Sequence, residues 1–299
     1  MASAGFAQDH RPSGGTGHLC CAYSGEDEWA RSAAVFVRNG LAGGRRVVYF
    51  ADTAAPETVV ERLGRAGVDA AAAVDRGRLV VRRSGDSYLR RLPFDPDRMV
   101  AAWDRVCATA HGAGYTGVWA VGEMSWCARG IPGAERLLEY ELRLNEEVFT
   151  RLPLTALCLY DREAVPGDVT ALLTAAHTRR LVPDGRAVPV AAGEWPRPPL
   201  GATPLEDRTG FRLRGGADAD TRAVLRGVLD ALVRLPGPVV HLDLSGTDFV
   251  DTASVAALAA VAAAERTRGR RVVLHRPPHS LRRVAALFAD ECGALETVP

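Results

Sequence analysis

An acidic and a hydroxyl side chain, Asp251 and Thr252, stand directly before an alanine-, valine- and leucine-rich segment that predicts a helix over 252–266. Aspartate is favoured at this position because its carboxylate accepts a backbone N–H of the first helical turn. A threonine there can also receive a phosphoryl group, which adds about −1.5 to −2 charge beside the unpaired N–H groups of the helix start. The pair is therefore either a helix cap alone or a phosphorylation switch, with Ser254 as an alternative acceptor.

A second set of polar and reactive side chains lies at or near the ends of three apolar segments in the first half of the chain. Its members are His18, Cys21, Tyr23, Glu123, Trp126 and Tyr160. Ligands of open α/β sheets bind at the carboxyl ends of the strands, so these residues predict one ligand pocket at a sheet edge. Two of them have alternative interpretations, because His18 is more often a hydrogen-bonded structural residue and Trp126 is either core or pocket wall.

The cysteines do not predict a metal site. Cys20 and Cys21 are adjacent, so in a strand they face opposite sides of the sheet and cannot bind one ion. No second cysteine pair with ligand spacing is present, and the six cysteines fit a reduced compartment. We expect neither a metal nor a cofactor.

Composition excludes several classes of function. All 37 basic residues are arginine, so lysine Schiff-base chemistry and the lysine of a phosphate-binding loop are absent. Segment 23–28 is acidic where such a loop would lie, and the net charge of +1 argues against nucleic-acid binding. The chain shows no secretory signal and no apolar run of about 18 residues, which predicts a cytoplasmic protein without membrane contact.

Strand-like and helix-like segments alternate from His18 onward, which predicts α/β architecture with mostly parallel sheets. The expected organisation is a flexible tail over 1–17, a first domain over 18–182, a Pro/Gly-rich linker over 183–204 and a smaller domain over 205–299. Three helices are expected over 132–152, 163–181 and 218–235. On the first of these, Glu139 and Arg143 form an i,i+4 pair that we expect on a solvated face.

Three segments of the first domain resemble the MEDS family of sensory domains: HLCCAYSGEDE (18–28), GEMSWCARGIPGAERLLEYELRLN (122–145) and ALCLYDR (156–162). The resemblance covers about 18–182. It implies a RecA-like three-layer domain without a working nucleotide loop, and a role in sensing an unknown small molecule such as a hydrocarbon derivative.

The segment VVHLDLSGTDFVDTASVAALAAVAAAERTRGRRVVLHRPP (239–278) resembles the STAS domain of anti-sigma-factor antagonists, over roughly 205–299. The resemblance implies that Thr252, after Asp251, is the regulatory phosphoacceptor. Ser254 stands where that family often has glycine. The implied partner is an anti-sigma factor or serine/threonine kinase of the ATPase fold.

Together these patterns predict a signal-transduction regulator in which a ligand-sensing domain is joined to a switchable binding module, and not an enzyme. Two other hypotheses stay open from the sequence. One is an enzyme that uses Glu123 and His18 as an acid–base pair, and the other is a homo-oligomeric scaffold of a stress-signalling assembly.

Overall fold

The computed structural model describes residues 17–182, 185–190 and 198–299, so most of the predicted N-terminal tail lies outside the described residues. Two sheets, each with helices, make up the described chain. The elements of the first are β1 (His18–Tyr23), α1 (Gly25–Ala42), β2 (Arg46–Ala51), α2 (Pro56–Arg65), α3 (Ala70–Asp75), β3 (Leu79–Arg83), α4 (Pro96–Gly112), β4 (Val118–Glu123), α5 (Leu137–Glu147), β5 (Leu154–Asp161), α6 (Gly167–Ala175), β6 (Arg179–Leu181) and β7 (Ala187–Pro189).

The first sheet has the strand order β3-β2-β4-β5-β1-β6-β7, and all its pairings are parallel except that of β6 with β7. The crossover helices divide between its two faces, as parallel connections require. Helices α1 and α2 pack on one face, which we call the α1 face, and α4, α5 and α6 pack on the other, the α5 face. The result is a three-layer α/β domain.

The second sheet is smaller, with the order β12-β11-β10-β9-β8, and only β8 runs antiparallel to its neighbour. Its elements are β8 (Leu200–Pro204), β9 (Gly210–Ala217), α7 (Arg222–Leu232), β10 (Val239–Val250), α8 (Thr252–Thr267), β11 (Arg271–His275), α9 (His279–Leu287) and β12 (Glu296–Val298). The expected fold class, a larger parallel α/β domain followed by a smaller α/β domain, is confirmed.

The three predicted helices are shorter in the structure. The first begins at Leu137, after Gly133 turns the backbone at a φ of 89°. The second ends at Ala175, because the chain then extends as β6 beside β1. The third begins at Arg222, because Asp218 and the residues after it form a side-chain-capped turn.

The predicted linker contains regular structure. Strand β7 pairs antiparallel with β6, and β8 already belongs to the second sheet, so that sheet begins before residue 205. Residues 183–184 and 191–197 of this stretch lie outside the described residues.

The two domains share one apolar core, in which α5 packs against α7. A Cβ atom at Gly227 of α7 would lie only 3.8 Å from Cδ2 of Leu138. The prediction of a solvated Glu139–Arg143 pair is wrong, since these side chains are 1% and 3% exposed. Apolar spacing alone did not indicate that α5 has neighbours on several sides.

Among the described residues, no helix has both the length and the apolar character needed to cross a membrane.

Candidate functional site

The six residues predicted to bind a ligand lie on both faces of the first sheet. Cys21, Tyr23 and Glu123 face α1 and α2, whereas His18, Trp126 and Tyr160 lie on the α5 face. Alternate side chains of a strand point to opposite faces, so strand ends that meet at one edge do not bring all their polar residues together. The single predicted pocket is thus divided into two sites.

On the α1 face, the Glu123 carboxylate is nearly saturated with donors. Tyr49 Oη donates to its Oε1 at 2.6 Å, Trp29 Nε1 donates to the same oxygen at 3.2 Å, and the Asp52 backbone N–H donates to Oε2 at 2.8 Å. Burial raises the pKa of Asp52 to about 6, with Arg129 opposing the rise and Glu123 adding to it. Glu123 therefore joins β4, β2 and α1 and has little capacity left for a ligand.

Cys21 and Tyr23 belong to the same buried layer. The Cys21 thiol lies 3.2 Å from Ser32 Oγ of α1, and burial raises its pKa above the ordinary thiol value. A buried neutral thiol is neither nucleophilic nor redox-reactive. Tyr23 is 9% exposed and packs in the apolar layer under α1.

On the α5 face, polar side chains from four segments form a fully buried cluster. His18 lies between Asn145 Oδ1, 3.1 Å from Nδ1, and Glu141 Oε2, 3.0 Å from Nε2. Tyr160 Oη donates to Glu141 Oε1 at 3.0 Å, so two of the predicted residues meet on one carboxylate. Cys158 and His177 complete the cluster, which we call the His–Glu–Cys cluster.

Glu141, Cys158 and His177 were not among the site residues predicted from the sequence. Two spacings could have indicated the first two, because Glu141 and Asn145 are i,i+4 on one helix and Cys158 shares a strand face with Tyr160. Nothing local marks His177, which follows the end of α6 and reaches the cluster only through the fold.

Beside this cluster lies an apolar cavity of about 40 Å³, rich in aromatic side chains. Trp126 lines it and is also fully buried in the apolar core, so the structure does not separate the core and pocket-wall interpretations of this residue. The remaining lining residues are Phe50, Tyr88, Phe94, Met99, Trp103, Gly122, Met124, Tyr140, Leu144, Ala156, Leu157 and Cys158. Because Cys158 belongs to both features, the cavity adjoins the His–Glu–Cys cluster.

The start of α8 in the second domain has the predicted cap. Asp251 Oδ1 accepts the Ser254 backbone N–H at 2.7 Å, and Thr252 is the exposed first residue of the helix. Ser254 is 2% exposed, so its hydroxyl is closed to a partner protein. Phe249, just before the helix, is 50% exposed, and α9 supports the turn through Ser280 Oγ, which accepts the Val250 N–H at 2.9 Å.

A wider cleft of about 320 Å³ lies beside the carboxyl end of β11 and the middle of β10. Its Asp243 carboxylate accepts from Arg212 at 2.7 Å and from Arg276 at 2.8 Å. Burial opposes ionisation there, but these guanidinium groups and the Ser245 N–H hold the pKa of Asp243 well below its usual range. The cleft therefore carries internally paired charge.

Comparison with known proteins assigns each domain. Residues 17–178, more than half of the chain, match the family model described as MEDS, the methanogen/methylotroph, DcmR sensory domain. The chain belongs to this family. Residues 205–289 match the model described as Mlab, STAS domain, so a STAS domain follows the sensory domain.

Among solved structures, the chain is similar to one of the anti-sigma factor antagonist SpoIIAA in its unphosphorylated form. The match has 15% sequence identity and a TM-score of 0.26, and covers 33% of this chain and 88% of that one. The comparison with curated proteins finds no match.

Proposed function

We propose that this protein is a signalling regulator in which a MEDS domain senses a small molecule and the STAS domain binds an anti-sigma factor or serine/threonine kinase of the ATPase fold. Phosphorylation of Thr252 ends that binding. The observation that carries the proposal is the exposed Thr252 at the start of α8, a helix capped by Asp251, in a domain that matches the STAS family.

The surface around Thr252 is suited to a partner whose binding is lost when a negative charge is added there. Phe249 offers an apolar anchor beside the hydroxyl, and buried aromatic anchors dominate many interfaces. A phosphate on Thr252 would add about two negative charges to a surface that has to be desolvated for docking. Binding is lost without any refolding of the helix, because Asp251 still caps it.

Thr252 is a better acceptor than Ser254. A kinase has to enclose the hydroxyl that it modifies, and the Ser254 side chain lies on the buried face of α8. The enzyme hypothesis for the first domain is also less supported, because Glu123 lies across the sheet from His18 and its oxygens already accept three donors.

Thr252→Asp is expected to weaken capture of the partner roughly 30-fold or more, because an unpaired charge in an interface costs about 2–5 kcal/mol. Thr252→Ala should capture as well as the wild type. The measurement is affinity capture from cell extract with the bound proteins identified by mass spectrometry, followed by titration calorimetry with the purified ATPase-fold protein.

Thr267→Asp is the matched control, since it places the same charge at an exposed threonine of the same helix, at its far end. If Thr267→Asp binds the partner as well as the wild type does, the loss of binding in Thr252→Asp is caused by charge at the start of α8. Equal capture by wild type, Thr252→Ala and Thr252→Asp would contradict the switch, and capture of no ATPase-fold protein would contradict the proposed partner class.

The sensing part of the proposal concerns the aromatic-lined cavity. One water-sized probe needs about 10–15 Å³, so a cavity of about 40 Å³ accommodates roughly three heavy atoms. Its walls are almost wholly apolar, which favours a small apolar compound over a metabolite with several polar groups.

A ligand in this cavity would contact the helix that packs on the second domain. Tyr140 and Leu144 line the cavity from α5, and α5 is the helix that packs on α7. A ligand shifts the arrangement of α5 only as far as it binds one arrangement better than the other.

Dichloromethane, with three heavy atoms, is expected to bind the full chain and to stabilise it by about 1.4 kcal/mol at ten times its Kd. Ala156→Leu should remove the effect, because the longer side chain fills the space that Ala156 lines. Thermal unfolding with and without dichloromethane measures the stabilisation of the wild type and its loss in Ala156→Leu.

Ala101→Leu, at an exposed position of α4, is the control and should respond as the wild type does. A dichloromethane shift in Ala156→Leu as large as in the wild type would contradict binding in this cavity.

A further inference from the structure

The His–Glu–Cys cluster presents four donor atoms to one point inside the protein. His18, Glu141, Cys158 and His177 each offer one ligand atom, and these atoms lie within 4.8 Å of one another. All four side chains are buried, with exposures of 0%, 0%, 6% and 2%. The residues come from β1, α5, β5 and the segment after α6, so the fold alone assembles them.

Hydrogen bonds at the rear of each imidazole determine which nitrogen has a free lone pair. His177 Nδ1 lies 2.9 Å from the Leu173 carbonyl, which can only accept, so Nδ1 carries the proton. Its Nε2 is then a bare lone pair, and it has no hydrogen-bond partner among the described residues. It points towards Glu141 Oε2 at 3.6 Å.

His18 is held in the same way. The Asn145 Nδ2 group donates to three carbonyls, of Glu141, Leu142 and Ala176, which leaves Oδ1 to accept from His18 Nδ1. His18 Nε2 is therefore also a lone pair, 3.0 Å from Glu141 Oε2.

Two lone pairs and a carboxylate oxygen repel one another unless a positive charge lies between them. A proton on Glu141 that is donated to His18 Nε2 leaves His177 Nε2 without a partner at full burial. A metal ion satisfies both, and it also binds Cys158 Sγ, which lies 3.7 Å from His18 Nε2 and 3.6 Å from Glu141 Oε2.

The distances fit a tetrahedral ion. Zinc–ligand bonds of about 2.0–2.3 Å place neighbouring ligand atoms roughly 3.3–3.8 Å apart. Four of the distances between ligand atoms, at 3.0, 3.6, 3.6 and 3.7 Å, are close to this range. The widest separation of 4.8 Å would have to close by about 1 Å, within the reach of small side-chain rotations.

Charge and orientation agree with the same ion. One carboxylate and one thiolate carry two negative charges, and the two histidines are neutral. These ligands therefore neutralise a divalent cation, as a fully buried site requires. Leu173 O, Asn145 Oδ1 and Tyr160 Oη orient the ligands from behind, as in natural metal sites.

We infer that His18, Glu141, Cys158 and His177 form a closed four-ligand site for a divalent transition-metal ion, zinc by the chemistry of the donors. Nitrogen, sulfur and carboxylate ligands together favour zinc over calcium or magnesium. With four protein ligands and no open position, the site is structural and ties α5 to the sheet. The ion enters as the chain folds, because the site is buried on all sides.

The test uses the full, tag-free chain from cells grown with zinc, and separately with cobalt. Elemental analysis should find about one metal ion per chain, and the cobalt form should show tetrahedral d–d bands and a thiolate charge-transfer band. Cys158→Ser should lose the charge-transfer band. Its affinity for the metal should fall by more than roughly 10- to 100-fold, which is the loss caused by removing a residue that only orients a ligand.

Cys20→Ser is the matched control. Cys20 is the direct neighbour of Cys158 in the parallel pairing of β1 with β5 and is also buried, but it lies outside the cluster. It should keep the metal and the band. Equal metal content in the two serine variants would overturn the site, as would a wild-type chain that holds no zinc or cobalt.

If Cys158→Ser fails to fold, X-ray absorption on the wild-type zinc protein decides. One sulfur at about 2.3 Å with nitrogen and oxygen at about 2.0–2.2 Å supports the site. A coordination shell without sulfur overturns it.

Discussion

Arg143→Met is expected to lower the free energy of unfolding by about 2–4 kcal/mol, because it removes a buried guanidinium that donates to three carboxylates and leaves the buried Glu139 with Arg136 alone. Arg143 is 3% exposed, and it donates to Glu139 at 2.9 Å, to Glu147 at 2.6 Å and to Asp97 at 2.8 Å. Asp97 also pairs with Arg234 of the second domain at 3.1 Å. The variant therefore removes the centre of an ion network that spans both domains.

Urea denaturation followed by circular dichroism measures this loss. Arg151→Met is the control, since Arg151 pairs with Asp104 where both side chains are about half exposed, at 50% and 46%. An exposed pair contributes at most about 1 kcal/mol, so this variant should unfold nearly as the wild type does. Equal small losses in the two variants would contradict a buried role for Arg143.

Glu123→Ala is expected to lower the free energy of unfolding by about 2–4 kcal/mol, because it removes an acceptor shared by three donors. Tyr49 Oη and the Asp52 N–H would be buried without that acceptor, whereas Trp29 Nε1 keeps Tyr49 Oη at 2.9 Å. Glu123→Gln should lose less, because its carbonyl oxygen can still accept from Tyr49.

Thermal and urea unfolding of these variants check the expectation. Glu26→Ala is the control from the same face, since Glu26 is 51% exposed and pairs with Arg62, so its loss should cost at most about 1 kcal/mol. A Glu123→Ala protein as stable as the wild type would show that Glu123 is free for another task, such as ligand binding.

The two expectations concern opposite faces of one sheet, and together they describe how the first domain is organised. The α1 face uses Glu123 to hold strand ends and α1 together. The α5 face carries the cavity, the His–Glu–Cys cluster and the contact with α7. A signal that reaches the second domain through α5 would therefore arise on the α5 face.

Local features of this protein could be predicted from the sequence because their causes lie within a few residues. The helix start at Thr252 was predicted correctly, since Asp251 caps an N–H only three residues ahead. The start of the alternating strands and helices at His18 also agrees with the structure, because a short apolar run followed by a polar turn needs no distant partner to be recognised.

Helix lengths were less accurate where the tertiary structure competed with local preference. The segment after Ala175 has helical composition, but it extends as β6 because the edge of β1 offers it backbone partners. Local propensity is a weak prior when a sheet edge is available.

The sequence by itself determined the alternation of strands and helices, the two-domain order and the capped helix start, since hydrophobic periodicity and capping act over short distances. Only the tertiary structure decided that Glu123 and Tyr160 lie on opposite faces, and that the Glu139–Arg143 pair is buried. It also brought His177 beside His18, residues separated by most of the first domain. The physical reason is that strand register and helix packing set these neighbours, and neither is encoded within one segment.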